Sequence, residues 1–201
     1  MIWLNSIETY GLRSYICRRK TTPLRSQLLS VRMPVYKTVL VGEGGVGKTS
    51  IAVRYTEDRF DQKMKMTIGV NFATKKVRVG GTDLTLLLWD LGGQPRFQDV
   101  ISDYFIGSKL AIAVYDVNRI FTLHRLRHWI DRLHTAVPSC DIFLVGNKID
   151  ERIEGMGVTL EDAQEFGAEF DAQIFEVSAK TSEGVFEMFD AAGKHLAEKT
   201  Q

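Results

Sequence analysis

From Tyr36 onward the chain alternates short apolar runs with stretches of helical period. YKTVLVG (36–42) reads as a buried strand, and GKTSIAVRYTEDRF (47–60) as the helix that follows a glycine loop. VNFATKKVRV (70–79) and TDLTLLLWD (82–90) flank Gly80-Gly81, a strong signal for a two-residue hairpin. LAIAVYDV (110–117) is another buried strand. FTLHRLRHWIDRLHTAV (121–137) repeats apolar residues at Leu123, Leu126, Ile130 and Leu133, a helical spacing that assigns them to the core. DIFLVGN (141–147) is a strand, TLEDAQEFGAEF (159–170) a helix starting at a threonine cap, and AQIFEVSA (172–179) the last strand. EGVFEMFDAAGKHLAEK (183–199) is an amphipathic helix.

One hairpin followed by repeated strand–helix pairs predicts an α/β fold: a mostly parallel six-stranded sheet, one antiparallel edge strand, and helices on both faces. Ligands of such sheets bind beyond the carboxyl ends of the strands. The chemistry is therefore expected where these strands end.

Composition narrows the class. The 201 residues are 44% hydrophobic and 25% charged, as in an ordinary globular protein. The longest apolar runs are far too short to span a bilayer. Two cysteines, Cys17 and Cys140, make neither a disulfide framework nor a zinc site. The net charge of +1 hides an asymmetry. Residues 1–32 carry six Lys/Arg against Glu8 alone, so of 26 bases and 25 acids the body holds 20 and 24. An acidic body does not suggest nucleic acid as a partner. The basic head lacks the order of a signal peptide. Its composition fits an organellar presequence, but Met33, directly before PVYKTVLVG, favours a disordered tail or translated upstream sequence. The expected division is a basic extension over 1–32 and one domain over 33–201.

Strand ends carry the motifs. GEGGVGKT, Gly42 to Thr49, fits G-x-x-x-x-G-K-[ST] between a strand and a helix, the context that pattern requires. Gly42, Gly44, Gly45 and Gly47, with Val46 between the last two, let backbone N–H groups turn inward around phosphate oxygens, and Ser50, at the helix start, is expected to bind the nucleotide with them. Lys48 can reach the β- and γ-phosphates, and the Thr49 hydroxyl can bind Mg²⁺. Asp90, ending its strand, is the natural carboxylate for Mg²⁺ at one remove, acting through water or through another ligand. NKID (147–150) follows the DIFLVGN strand. A carboxylate at Asp150 accepts from guanine N1–H and its exocyclic amine, which adenine cannot offer. Asn147 would tie this loop to the phosphate loop, the Lys148 stem would lie over the base, and in SAK (Ser178, Ala179, Lys180) the Ala179 N–H can meet the guanine carbonyl.

The ordered set GEGGVGKT, TIGV, DLGGQ, NKID, SAK resembles the Ras superfamily of small GTPases from residue 35 to about 198. MTIGVNF, VYDV and SAKTSEGVFEMF look Rab-like, whereas WDLGGQPRF resembles the Arf-like branch. The resemblance implies a P-loop NTPase G domain that binds GTP or GDP with Mg²⁺ and cycles as a molecular switch, in trafficking or signalling. It implies that Thr67 binds Mg²⁺ and the γ-phosphate, that Phe60 lies against the guanine, that Gly93 donates its N–H to the γ-phosphate, and that Gln94 positions the attacking water. Pro95 either narrows the backbone of Gln94 or starts a helix. The resemblance also implies an exchange factor, a GTPase-activating protein and an effector acting on residues near 60–69 and 91–106. The sequence carries neither a C-terminal cysteine motif nor a glycine at residue 2, so a cytoplasmic, monomeric protein without a lipid anchor is expected. The rival readings are a GTP-binding scaffold that does not hydrolyse, an ATP-using P-loop enzyme, and a surface binder working through the head. Gln94 argues against the first, NKID and SAK against the second; the third could coexist with GTP hydrolysis. His124 and His128, one turn apart, lack a third ligand and are assigned to a solvated helix face.

Overall fold

The computed structural model describes residues 33–93 and 98–199. Its order is β1 (Val35–Val41), α1 (Lys48–Glu57), β2 (Val70–Val79), β3 (Thr82–Leu91), α2 (Gln98–Phe105), β4 (Ser108–Asp116), α3 (Ile120–Ala136), β5 (Asp141–Asn147), a 3₁₀ turn (Ile149–Glu151), α4 (Leu160–Ala168), β6 (Gln173–Val177) and α5 (Val185–Glu198). One six-stranded sheet runs β2-β3-β1-β4-β5-β6. Only the β2–β3 pair is antiparallel, and it sets β2 at an edge. The Gly80-Gly81 hairpin is realised with Val79 opposite Thr82. Both glycines have positive φ (54° and 84°), the conformation a two-residue turn matching the sheet twist demands.

Strand alternation divides the core into two layers. On one face Leu40, Leu84, Leu86, Leu88, Ile112 and Val145 pack under α1 and α5, where Tyr55 stacks on Phe189 with ring centroids 3.8 Å apart. On the other, Val39, Val41, Ala111 and Ala113 meet α2, α3 and α4, with the expected Leu123, Leu126, Ile130 and Leu133 at most 1% exposed. Cys140 is buried there, and burial pushes its thiol up to about 12. Thr159 caps α4 as its sequence suggests. Its Oγ1 accepts from the Asp162 N–H (3.0 Å) and the Asp162 carboxylate accepts from the Thr159 N–H (2.8 Å), a reciprocal capping box. The helix α2 has no counterpart in the hydrophobic pattern. It follows Gln94–Phe97, and the question of what Pro95 does lies outside the described residues. No helix among the described residues is long and apolar enough to cross a membrane. The parallel strands β1, β4, β5 and β6 thus deliver the ends of their runs to one rim, together with the C-terminal end of β3.

Candidate nucleotide site

The loop from β1 to α1 is shaped by close approaches that exclude side chains. Gly47 sits at the α1 N-cap with φ 99°, and a Cβ there would lie 2.1 Å from Asn147 Nδ2. At Gly42, φ is 133° and a Cβ would lie 2.3 Å from the Val114 carbonyl oxygen of β4. Lys48 arches back over the loop, its Nζ donating to the carbonyls of Gly42 (2.7 Å) and Glu43 (2.9 Å). Burial pulls this ammonium down to about 8, against the opposing charges of Asp90 and Glu43. The Val46 side chain is wholly buried in the core beneath α1, so only its backbone can serve a ligand.

Three oxygens far apart in sequence converge beside the loop. Thr49 Oγ1 donates to Asp90 Oδ2 (2.6 Å) and lies 2.7 Å from Thr67 Oγ1, which itself donates to Asp90 Oδ2 at 3.3 Å. Burial pushes the Asp90 carboxyl up, opposed by the Thr49 hydrogen bond and the Lys48 charge. Its second oxygen, Oδ1, is buried without a hydrogen-bond partner. An orphaned carboxylate oxygen with two hydroxyls is an all-oxygen, hard donor set, and it fits Mg²⁺. Gly93 closes this end. A Cβ on it would lie 2.5 Å from the Gly44 nitrogen, so the backbone after β3 presses directly on the phosphate loop. Gln94 lies outside the described residues.

The opposite end is built by β5, β6 and their loops. Asn147, 2% exposed, donates from Nδ2 to the Val46 carbonyl (2.8 Å) and accepts at Oδ1 from the Ala179 N–H (3.1 Å). It joins the phosphate loop as the sequence suggests. It also takes the Ala179 N–H that sequence reasoning offers to a guanine carbonyl. Ser178 Oγ donates to Asp150 Oδ1 (2.5 Å), and Lys180 Nζ lies 3.4 Å from Oδ2, so the acidic side chain is fixed from two sides. Lys148 takes a left-handed conformation (φ 71°) and pairs with Asp116 at 2.7 Å. Phe60 packs against the α1–α5 layer. A cleft of about 270 Å³ runs between the two ends. Gly44, Gly45, Gly47, Lys48, Thr49, Ser50, Phe60, Thr67, Gly93, Asn147, Lys148, Asp150, Ala179 and Lys180 all line it, with Gly42, Val46 and Ser178 standing behind. Asp90 stands behind as well, against Thr49 and Thr67.

Two contributors lie outside the motifs read from the sequence. Arg54 of α1 donates from Nε to the Ala179 carbonyl (3.0 Å) and from Nη2 to the Lys180 carbonyl (3.1 Å), bracing the SAK turn from below. Asp116, the last residue of β4, holds Lys148. The pattern that located the motifs could have flagged Asp116 alone, as one more acid at a strand end. His124 and His128 are exposed on α3, and no group of three or more His, Cys, Asp or Glu side chains placed to share a metal occurs among the described residues.

Residues 37–198 match the Ras family. Among curated proteins the chain is 40% identical to the Ras-related protein RabC of Dictyostelium discoideum, over 78% of this chain and 81% of that protein. It is 37% identical to the GTP-binding protein ypt5 of Schizosaccharomyces pombe, covering 80% and 77%. Against the Ras-related protein Rab-18-B of Danio rerio the figures are 36%, 81% and 78%.

Proposed function

The chain belongs to the Ras family and is a Rab-like small GTPase, and from that premise we propose a Mg²⁺-dependent GTP/GDP switch whose site is the cleft between Lys48 and Asp150. The observation that carries this reading is the meeting of Thr49, Thr67 and Asp90 within hydrogen-bonding distance, with Asp90 Oδ1 left over. Held by those residues, Mg²⁺ would supply charge neutralisation on the phosphates.

Each residue then has a task. Lys48 and the N–H groups of residues 44–49 bind the phosphates. Thr67 couples its own segment to the phosphate end through Thr49 and Asp90, so residues near 60–69 report the state of that end. Gly93 presents backbone to the γ-phosphate, and Gln94 orients water. Asp150, steadied by Ser178 and Lys180, selects guanine, and Phe60 covers the base. Ile68 and Phe72, 71% and 59% exposed beside the phosphate end, form the apolar ground for an effector, an exchange factor or a GTPase-activating protein. The pathway is trafficking or signalling.

Hydrolysis alone is slow on this reading. Between Arg59 and Thr67 the chain offers Lys63 and Lys65 but no arginine, so turnover falls in the regime of roughly 10⁻⁴ to 10⁻³ per second and rises by up to about 10⁵ with an activator.

Competition binding with GTP, XTP and ATP tests the base end. Asp150→Asn should shift preference towards XTP, because an amide donates where the carboxylate accepts. Wild type binding ATP as well as GTP would defeat the reading. Single-turnover assays test the phosphate end, where Gln94→Leu hydrolysing at the wild-type rate would remove its assigned role.

A further inference from the structure

Asp116 holds more charge than it can neutralise. Its carboxylate, on a residue 3% exposed, accepts from Lys148 Nζ (2.7 Å), Arg119 Nε (2.9 Å) and the Asn118 N–H (3.0 Å). One anion therefore faces two cations, and one positive charge is in surplus. Lys148 with the Asn118 N–H already satisfies a buried carboxylate. The second cation is surplus to that need.

Its position is also unfavourable for the helix it precedes. Arg119 is the N-cap of α3 and makes no side-chain capping bond. The partial positive charge of a helix N-terminus disfavours a cation there. A residue that breaks the local rule invites a functional reason. Arg119 Nη2 lies 3.9 Å from where a Cβ on Gly45 would sit, so the guanidinium stands against the phosphate loop. The Asp116 pair occupies its Nε. Four of its five N–H donors lie on the two Nη groups beyond that pair.

Resting on the reading of this cleft as the nucleotide site, we infer that Arg119 places a positive charge against the bound polyphosphate from outside the phosphate loop, and that Asp116 is the positioning residue that holds both Arg119 and Lys148 for the nucleotide. Lys48 serves the phosphates from within the loop and Arg119 from its flank. A single buried carboxylate thereby links the phosphate end to the base end. Because the Arg119 side chain is about one-third exposed (36%), its contribution is salt-sensitive.

The test uses full-length protein and fluorescent GDP, with association and release rates measured at 50 and 500 mM KCl. Arg119→Gln should weaken GDP binding roughly two- to fivefold at low salt, as the loss of a partly exposed charge does, and the gap should shrink at high salt. Arg119→Lys should restore part of it. Asp116→Asn should weaken binding more than Arg119→Gln, and the double variant should be no worse than Asp116→Asn, since the acid acts through the arginine. Wild type failing to hold GDP would defeat the nucleotide reading itself. With wild type binding tightly, an Arg119→Gln affinity unchanged at 50 mM, or reduced by the same factor at both salts, overturns this inference.

Discussion

Asn147→Ala is the perturbation whose cost can be worked most directly from the site. The side chain is 2% exposed and makes two hydrogen bonds to backbone groups of other loops, the Val46 carbonyl and the Ala179 N–H. Alanine removes both and leaves both backbone groups buried. Each unsatisfied group costs about 1–3 kcal/mol. Limited rearrangement keeps the sum near the lower end, about 3 kcal/mol. For a domain of this size that is a fall in Tm of roughly 6–12 °C. Asn147→Asp should cost at least as much. It keeps the acceptor for Ala179 but turns an oxygen towards the Val46 carbonyl, where Nδ2 now donates. Bound nucleotide adds its own stabilisation, so melting is followed at fixed GDP and without it. GDP release should also quicken in both variants, because the bond to Val46 is what fixes the base loop to the phosphate loop. A Tm within about 2 °C of wild type, with unchanged GDP release, would refute the reasoning.

Three further outcomes follow from local geometry. Thr159→Ala opens the capping box of α4 and should cost about 1 kcal/mol, read as a fall in Tm of roughly 2–4 °C with GDP binding unaltered. Asp141, at the start of β5, accepts from His195 (2.9 Å) and Lys199 (2.5 and 2.6 Å) of α5 and the residue after it. Burial pushes its carboxyl up, but those bonds and charges outweigh burial and hold it below its usual 3.8. The folded state thus binds the proton less readily than the unfolded one. The contribution is present above about pH 4 and lost as pH falls through the lower folded value, so Asp141→Asn should flatten acid unfolding curves there at a neutral-pH cost under about 1 kcal/mol. Gly47→Ala meets Asn147 at 2.1 Å with φ 99° and should abolish nucleotide binding, whereas Gly193→Ala, 3.1 Å from the Val79 methyl, should leave GDP binding intact by the same assay.

What the sequence shows of this protein depends on how local the physics is. Strands, hairpin and helices repeat with periods of two or 3.6, so a window of a dozen residues contains them, and the Thr159 cap needs only three neighbours. The motifs are legible for a related reason, since each is a short backbone device at the end of a strand. Gly47 marks the limit. Its pattern signals a phosphate cradle, yet what excludes a side chain there is Asn147, 100 positions away and brought in by the β1–β4–β5 order. Arg54 is invisible for the same cause, since it is an ordinary helical arginine until α1 comes to lie beneath the turn after β6. α2 is missed differently, for a helix of eight residues offers too few turns to establish a period. Asp116 and Arg119 combine both difficulties, because the pairing spans three residues but its meaning depends on Gly45 and Lys148 arriving beside it. Residues that act through a ligand leave their chemistry in a motif. Residues that act by holding another residue leave no spacing to detect, and only the assembled rim shows which loops they join.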